Sequence, residues 1–276
     1  MTTPRSSGLP LQDSVAFITG GGSGLGAATA RRLAADGALV AINDLNSQAA
    51  ESVATELGGI ALPFDVTDSG AFDEAVDQCV RSLGRLDIMV NNAGIAPQDV
   101  SSKIERTVAN QMKRIEGRIS EMEPMDYLCD LTDDNWDRMI RVHLYGSFYG
   151  TRAALRHMQP QRSGRIVNVS SILGQQPAAG APHYSVAKAG IITLTKAVAA
   201  EVAHLGINVN AVCPGYIETP LLTPFSEMVK AGIVTRIAKG HMGEPNDIAE
   251  MIRFLCGPES KYCTGDVFTV SGGYSG

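Results

Sequence analysis

The first hundred residues alternate between short, continuous apolar runs and segments whose apolar positions fall on one side of a helix. Val15–Thr19 is such a run and ends in a glycine cluster; a helical segment, Leu25–Asp36, follows, and then a second run, Ala38–Asp44. The rhythm continues with helix Gln48–Leu57, strand Ile60–Val66, helix Ala71–Leu83 and strand Leu86–Gly94. Further strands are predicted at Arg165–Ser171, Ile207–Gly215 and Asp266–Gly273, separated by long helical patterns. Continuous β-branched runs suit strands covered on both faces, and their alternation with helices indicates a parallel sheet. The expectation is α/β: one doubly wound domain over residues 1–276, with a central parallel sheet, helices on both faces and a polar lead at 1–12.

One stretch interrupts the alternation. The connection 96–134 is far longer than a βα loop usually is. Within it Ile104, Val108, Met112, Ile115, Ile119 and Met122 recur every three or four residues, the spacing of a one-sided helix. Lys103, Glu105, Arg106, Lys113, Arg114, Glu116 and Arg118 fill the opposite face. The segment reads as a surface helix packed on its apolar stripe, with a substrate lid as the alternative.

Composition narrows the class. Hydrophobic residues make up 44% of the 276 residues, enough for a sizeable core, and 23 Lys and Arg against 29 Asp and Glu leave a formal charge of −6. That balance offers no basic face to nucleic acid or an anionic membrane, and no apolar stretch is long enough to span a bilayer. The N-terminus shows no export signal. Cys79, Cys129, Cys213, Cys256 and Cys263 form no C-x-x-C pair and no zinc spacing, so they read as reduced packing residues in a cytoplasmic protein with no metal.

Two constellations carry chemistry. Thr19-Gly20-Gly21-Gly22-Ser23-Gly24-Leu25-Gly26 lies between a predicted strand and a predicted helix. Glycines there let the backbone approach a pyrophosphate, which the helix N-terminus stabilises with its free N–H groups. Asp44 ends the second strand, 18 residues beyond Gly26. Its carboxylate would accept hydrogen bonds from the adenosine ribose and repel a 2′-phosphate, and Ser23, Leu45 and Asn46 offer such a phosphate no cation. NAD(H) is therefore favoured over NADP(H); a turn residue capping the next helix is the plainer reading of Asp44. In Tyr184-Ser-Val-Ala-Lys188, residues four apart share one helix face, so phenol and ammonium point into the same space. A free phenol with a pKa near 10 is a poor base at neutral pH, and an adjacent ammonium would lower it.

Taken together, these residues resemble the short-chain dehydrogenase/reductase family. The match runs from about residue 11 to 274 in the family's order and spacing. It comprises T-G-x-x-x-G-x-G at Thr19–Gly26, N-N-A-G at Asn91–Gly94, a serine 13 residues before the tyrosine at Ser171, Y-x-x-x-K at Tyr184–Lys188, and Pro214-Gly215 followed by Ile217 and Thr219. The resemblance implies a Rossmann-type fold, with Tyr184 as general acid/base and Lys188 binding the nicotinamide ribose. It places Ser171 on the substrate oxygen, Asp65 and Val66 on adenine, and Asn92 and Gly94 beside the coenzyme. Gly20, Gly22, Ser23, Gly24, Leu25 and Gly26 would cradle the phosphates, and Ile217 and Thr219 would meet the carboxamide.

The sequence departs from the family at two places. The fourth catalytic position, usually Asn in V-N-L-x-G, is His143 in Val142-His143-Leu144-Tyr145-Gly146, and the connection 96–134 is unusually long. In the family the Asn carbonyl holds a relay water, and any residue supplies a carbonyl, so His143 would keep the relay if the helix keeps its local bend; an imidazole that exchanges protons itself and one that only fills space and hydrogen-bonds locally are the alternatives. The implied activity is interconversion of a secondary alcohol and a ketone. A 3-oxoacyl thioester reductase and a non-catalytic NAD-binding regulator are the alternatives. Ile95, Ala96, Ile172, Leu173, Gln176, His183, Tyr216 and the region 221–240 are candidate pocket residues; being mostly apolar, they favour a hydrophobic ketone. His183 reads more readily as loop packing. Apolar residues on more than one face of the helical segments Trp136–Met158 and Tyr184–Leu205 (Leu144, Phe148, Tyr149, Ile191, Leu194, Val198, Val202) suggest a subunit contact. In the family these helices build the dimer interface of a homotetramer.

Overall fold

The computed structural model describes residues 9–97, 101–223 and 225–275; most of the polar lead lies outside the described residues. Its elements are β1 (Val15–Ile18), α1 (Gly24–Ala35), β2 (Leu39–Ile42), α2 (Ser47–Leu57), β3 (Ile60–Ala61), α3 (Ser69–Leu83), β4 (Ile88–Asn91), α4 (Ser101–Ile115), α5 (Asp133–Ile140), α6 (Gly146–Gln161), β5 (Gly164–Val169), α7 (Ile172–Gln175), α8 (Pro182–Val202), β6 (Ile207–Pro214), α9 (Glu227–Val234), α10 (Pro245–Cys256) and β7 (Val267–Val270). The strands form a seven-stranded sheet in the order β3-β2-β1-β4-β5-β6-β7, and every pairing is parallel. The strand order reverses between β1 and β4, which opens a crevice at their C-terminal ends.

The period-two geometry of a strand explains the two cores. Ala16 and Ile18 join Ile42, Leu33 and Ile252 on one face, while Val15 and Phe17 join Met89, Phe72 and Met158 on the other. Phe64 closes the second core edge-on against Phe72 at 4.9 Å. Burying a side chain of this size contributes roughly 1.5–3 kcal/mol, so the doubly covered centre of the sheet is the rigid platform for everything at its C-terminal edge.

Three expectations are corrected. The third strand is two residues long rather than Ile60–Val66, because Pro63 has no N–H to give to the ladder and ends the pairing at the sheet edge. The helix of the long connection stops at Ile115, where Gly117 turns with φ +75, and Ile119 falls in a separate 3₁₀ turn. Part of its stripe is not packed either: Met112, Ile115 and Ile119 are 52%, 73% and 65% exposed, while Val108 and Met122 are half-buried; the side chain of Ile104 lies outside the described residues. Finally, Ile191 and Val202 of α8 face the core rather than a free surface. Among the described residues no helix is long and apolar enough to cross a membrane, and no group of three or more His, Cys, Asp or Glu is placed to hold a metal ion. The five cysteines are free; Cys79, Cys213 and Cys256 are buried and Cys129 is exposed.

Candidate active site

A cleft of about 1660 Å³ opens at the C-terminal edge of the sheet. It brings together Gly20, Ser23, Gly24, Leu25, Asp44, Asp65, Val66, Asn92, Gly94, His143, Ser171, Tyr184, Lys188, Pro214, Gly215, Ile217 and Thr219. Gly22 and Gly26 serve from behind. A Cβ on Gly22 would meet the Asp44 carboxylate at 2.9 Å, and one on Gly26 would meet the Gly20 carbonyl at 2.0 Å. Gly20 and Gly24 sit in left-handed conformations, φ +60 and +50, that only glycine adopts readily.

The loop is tied to the strand ends by Thr19. Its hydroxyl accepts the N–H groups of Asn92 and Ala93, both at 3.0 Å, while the Asn92 amide donates to the carbonyls of Thr19 (3.0 Å) and Gly20 (3.1 Å). Ser23, the N-cap of α1, makes no side-chain capping bond. The first N–H groups of a twelve-residue helix therefore face the cleft without a side-chain acceptor, which is the donor set a pyrophosphate requires. Asp44 Oδ2 accepts the Gly22 N–H (3.0 Å) and Oδ1 accepts the Asn46 N–H (3.0 Å), which fixes the carboxylate at the rim of the loop. Asn46, not Asp44, is the N-cap of α2. A glycine cradle and an uncapped helix end fit the pyrophosphate of a nicotinamide dinucleotide.

Ser171 caps the short helix α7, accepting the Leu173 N–H at 3.1 Å, and it lines the cleft together with Tyr184. One helical turn later Lys188 is buried, with Nζ donating to the Val169 carbonyl at 2.8 Å and lying 5.7 Å from the centre of the Tyr184 ring. α7 packs closely on this turn: a Cβ on Gly174 would meet the Lys188 carbonyl carbon at 2.8 Å, and Ser170 donates its hydroxyl to the same carbonyl at 2.7 Å. Burial dominates the electrostatics. It raises the Tyr184 phenol above its ordinary value, with the Ser171 hydroxyl pulling it back, and it lowers Lys188 to about 7. The expected lowering of the phenol by an adjacent ammonium is not found, because desolvation disfavours both charged forms.

His143 sits in a π-turn, Arg141–Tyr145, joining α5 to α6. The local bend is present, yet the His143 carbonyl is already occupied: it accepts the Ser147 hydroxyl at 2.8 Å and the Gly146 N–H. The imidazole is 2% exposed and stands edge-on to the Tyr184 ring at 5.2 Å. Its Nε2 lies 3.2 Å from the Ile95 N–H and 3.0 Å from the Ile95 carbonyl, while Nδ1 has no partner among the described residues. Burial, then the charge of Lys188, holds the ring well below its ordinary pKa, so it is neutral at physiological pH. Gly94 makes room for it, since a Cβ there would come within 2.5 Å of the ring.

Of the candidate pocket residues, Ile95, Ala96, Ile172, Leu173 and Tyr216 line the cleft. So do Leu221, Leu222, Phe225, Met228, Val229 and Ile233 from the 221–240 region. Gln176 and His183 do not; His183 is buried at the start of α8. Sequence reasoning missed Thr107, Val108, Gln111 and Tyr127, by which the long connection walls the cleft, and Asn43, whose buried amide donates to the carbonyls of Leu62 and Phe64. The Tyr127 hydroxyl pairs with that of Thr107 at 2.9 Å, and its ring faces Gly180, where a Cβ would be 3.5 Å away. A lone tyrosine in a polar loop carries no periodic signal.

Residues 14–118 match the family described as short chain dehydrogenase, and residues 119–275 match the one described as Enoyl-(Acyl carrier protein) reductase. The chain belongs to the short-chain dehydrogenase/reductase family. It is 35% identical over 268 residues to the 3-oxoacyl-[acyl-carrier-protein] reductase FabG of Thermotoga maritima, covering 95% of this chain and 98% of that protein. It is 38% identical over 268 residues to a cis-4-hydroxycyclohexanecarboxylate dehydrogenase of Sinomonas cyclohexanicum, covering 95% and 97%. A third relative, the (2S)-[(R)-hydroxy(phenyl)methyl]succinyl-CoA dehydrogenase subunit BbsD of Thauera aromatica, is 37% identical over 275 residues, covering 96% and 98%. As a member of the short-chain dehydrogenase/reductase family, this protein is an oxidoreductase acting on CH–OH groups, in a family that uses a nicotinamide cofactor.

Proposed function

We propose an NAD(H)-dependent oxidoreductase that interconverts a secondary alcohol and a ketone, with Tyr184 exchanging the proton. The observation that carries this reading is the juxtaposition of Ser171, Tyr184 and Lys188 at the floor of a cleft whose other end is the glycine loop and Asp44. Bound nicotinamide supplies or receives the hydride. Tyr184, held protonated by burial, donates its proton to the ketone oxygen. Ser171 donates a hydrogen bond to that oxygen, which otherwise would develop charge in an apolar pocket. Lys188 would hold the nicotinamide ribose and return a proton to Tyr184. Asp65 and Val66 would flank the adenine, and Pro214, Gly215, Ile217 and Thr219 would orient the carboxamide.

Asp44 selects NAD(H). A phosphate on the ribose would stand against a carboxylate that two backbone N–H groups already hold in place. The half-exposed Phe148 and Tyr145 on α6 and its π-turn, beside Leu194 and Val198 of α8, support a homotetramer built through these helices. The unpaired cysteines support a cytoplasmic location. Reduction of a 3-oxoacyl thioester is the second reading, favoured by the likeness to the Thermotoga reductase and opposed by Asp44. Oxidation of NADH and NADPH, followed by absorbance against a panel of cyclic, aliphatic and thioester ketones, tests both. Higher kcat/KM with NADH on at least one ketone is the expected result, and a preference for NADPH overturns the cofactor assignment.

A further inference from the structure

From Pro214 to Arg236 the residues lining the cleft are largely apolar and include one charged side chain. Ile172, Leu222, Phe225, Val229 and Ile233 line it, and Arg236, in the turn after α9, reaches the same cavity. Among the described residues no carboxylate lies within ion-pair distance of this guanidinium. Its partners are aromatic: it stands 6.0 Å from the centre of the Tyr274 ring, with Nη1 3.4 Å from the Tyr274 hydroxyl. Arg138 and Arg141 also border the cleft, but Arg138 shares α5 with Asp133, Asp134 and Asp137, and Arg141 lies over the Tyr145 ring at 5.8 Å.

The Arg236 arrangement is built rather than incidental. The Arg236 carbonyl accepts the Ser275 N–H at 3.0 Å, and Ile237 bridges to Tyr274, so the C-terminal segment and the turn after α9 hold each other. Tyr274 is 6% exposed. Its ring lies 5.3 Å from that of Tyr216, and both line the same cleft as Tyr184. The tilted pair Tyr216 and Tyr274 thus places an unneutralised guanidinium in the same cleft as Tyr184. A guanidinium and a phenol side by side are donors suited to a carboxylate or phosphate oxygen.

We propose that Arg236 and Tyr274 form an anion subsite in the substrate cleft, so that the substrate is a ketone or secondary alcohol carrying a carboxylate or a phosphate away from the reacting carbon; this rests on the oxidoreductase reading above. Two matched pairs of compounds separate the sources of the anion. One is 4-oxopentanoate against its methyl ester, and the other is acetoacetyl-CoA against acetoacetyl-N-acetylcysteamine, which lacks the phosphates. Turnover with NADH is measured for the wild type, Arg236→Gln and Tyr274→Phe. In at least one pair the charged member should be preferred, and Arg236→Gln should cut its kcat/KM about 10- to 100-fold, the range of a charge-assisted hydrogen bond. The neutral member and NADH affinity should change less than about twofold. Tyr274→Phe should cause a smaller loss in the same direction.

The pair that responds identifies the anion. Equal use of charged and neutral members, or a preference that persists in Arg236→Gln, overturns the subsite while leaving the dehydrogenase reading intact. If no ketone is reduced, that reading fails instead, and calorimetric titration of the NADH complex with 4-oxopentanoate and with CoA decides the subsite. Binding lost in Arg236→Gln supports it, and equal binding or none to the wild type rejects it.

Discussion

Lys188 is a buried cation with one hydrogen bond, to the Val169 carbonyl, and its burial is a cost that the fold carries. Its ammonium loses its proton at about 7 in the folded chain, against about 10.4 when unfolded. Below pH 7 both states are protonated, and the folded state bears the full desolvation handicap. Between the two values the unfolded chain binds the proton and the folded chain does not, so stability rises with pH. The gap corresponds to about 4 kcal/mol at pH 7, falling to about 2 kcal/mol at pH 9. Lys188→Met removes the charge, fills similar volume and leaves the Val169 carbonyl without its donor, a loss of about 1 kcal/mol. The net gain is about 3 kcal/mol at pH 7, which for a chain of this size raises Tm by roughly 10 °C, and about 1 kcal/mol at pH 9. Thermal melts of the coenzyme-free protein at both pH values, at matched protein concentration, measure it. A Met variant that melts at or below the wild type at pH 7, or a Tm difference equal at both pH values, would refute the desolvation reasoning.

Three further outcomes are expected. Asp44→Ser should narrow the NADH-over-NADPH preference by about tenfold or more, since the fixed charge facing the ribose is gone, as read from kcat/KM with each coenzyme. His143→Asn should keep at least about a tenth of kcat, because the imidazole is neutral at working pH and supplies no acid; a variant that folds and binds NADH but is as inactive as Tyr184→Phe would make the imidazole essential. Light scattering at micromolar concentration should give the mass of a tetramer, and Phe148→Arg should shift it toward smaller species; a monomeric wild type contradicts the interface.

The parts of the fold legible in the sequence are those set by local pattern. Val15–Ile18 could be read as a doubly buried strand because four apolar residues precede a glycine cluster, and Tyr184 and Lys188 could be placed on one face by their spacing alone. Features that depend on what lies opposite were not legible. The stripe of α4 has the right period for a packed helix, yet period says nothing about whether a partner surface exists, and Met112 and Ile115 face outward. Pro63 was visible, but its power to end a strand was outvoted by the apolar residues around it. Likewise, the π-turn brings the Ser147 hydroxyl onto the His143 carbonyl through backbone geometry that no residue type announces. Tyr127, Arg236 and Tyr274 reach the cleft from three separate segments, so only the folded chain unites them.

The central claim is that Tyr184 exchanges the proton while the remainder of the cleft positions coenzyme and substrate. Tyr184→Phe removes the hydroxyl and keeps the ring that packs against His143 and Lys188. NADH binding, followed by fluorescence titration, and turnover of the best ketone found with the wild type should be measured on the same preparation. The expected result is an NADH affinity within about twofold of the wild type and a kcat reduced by about 100-fold or more. A Phe variant that binds NADH normally and keeps near-normal kcat would contradict the assignment.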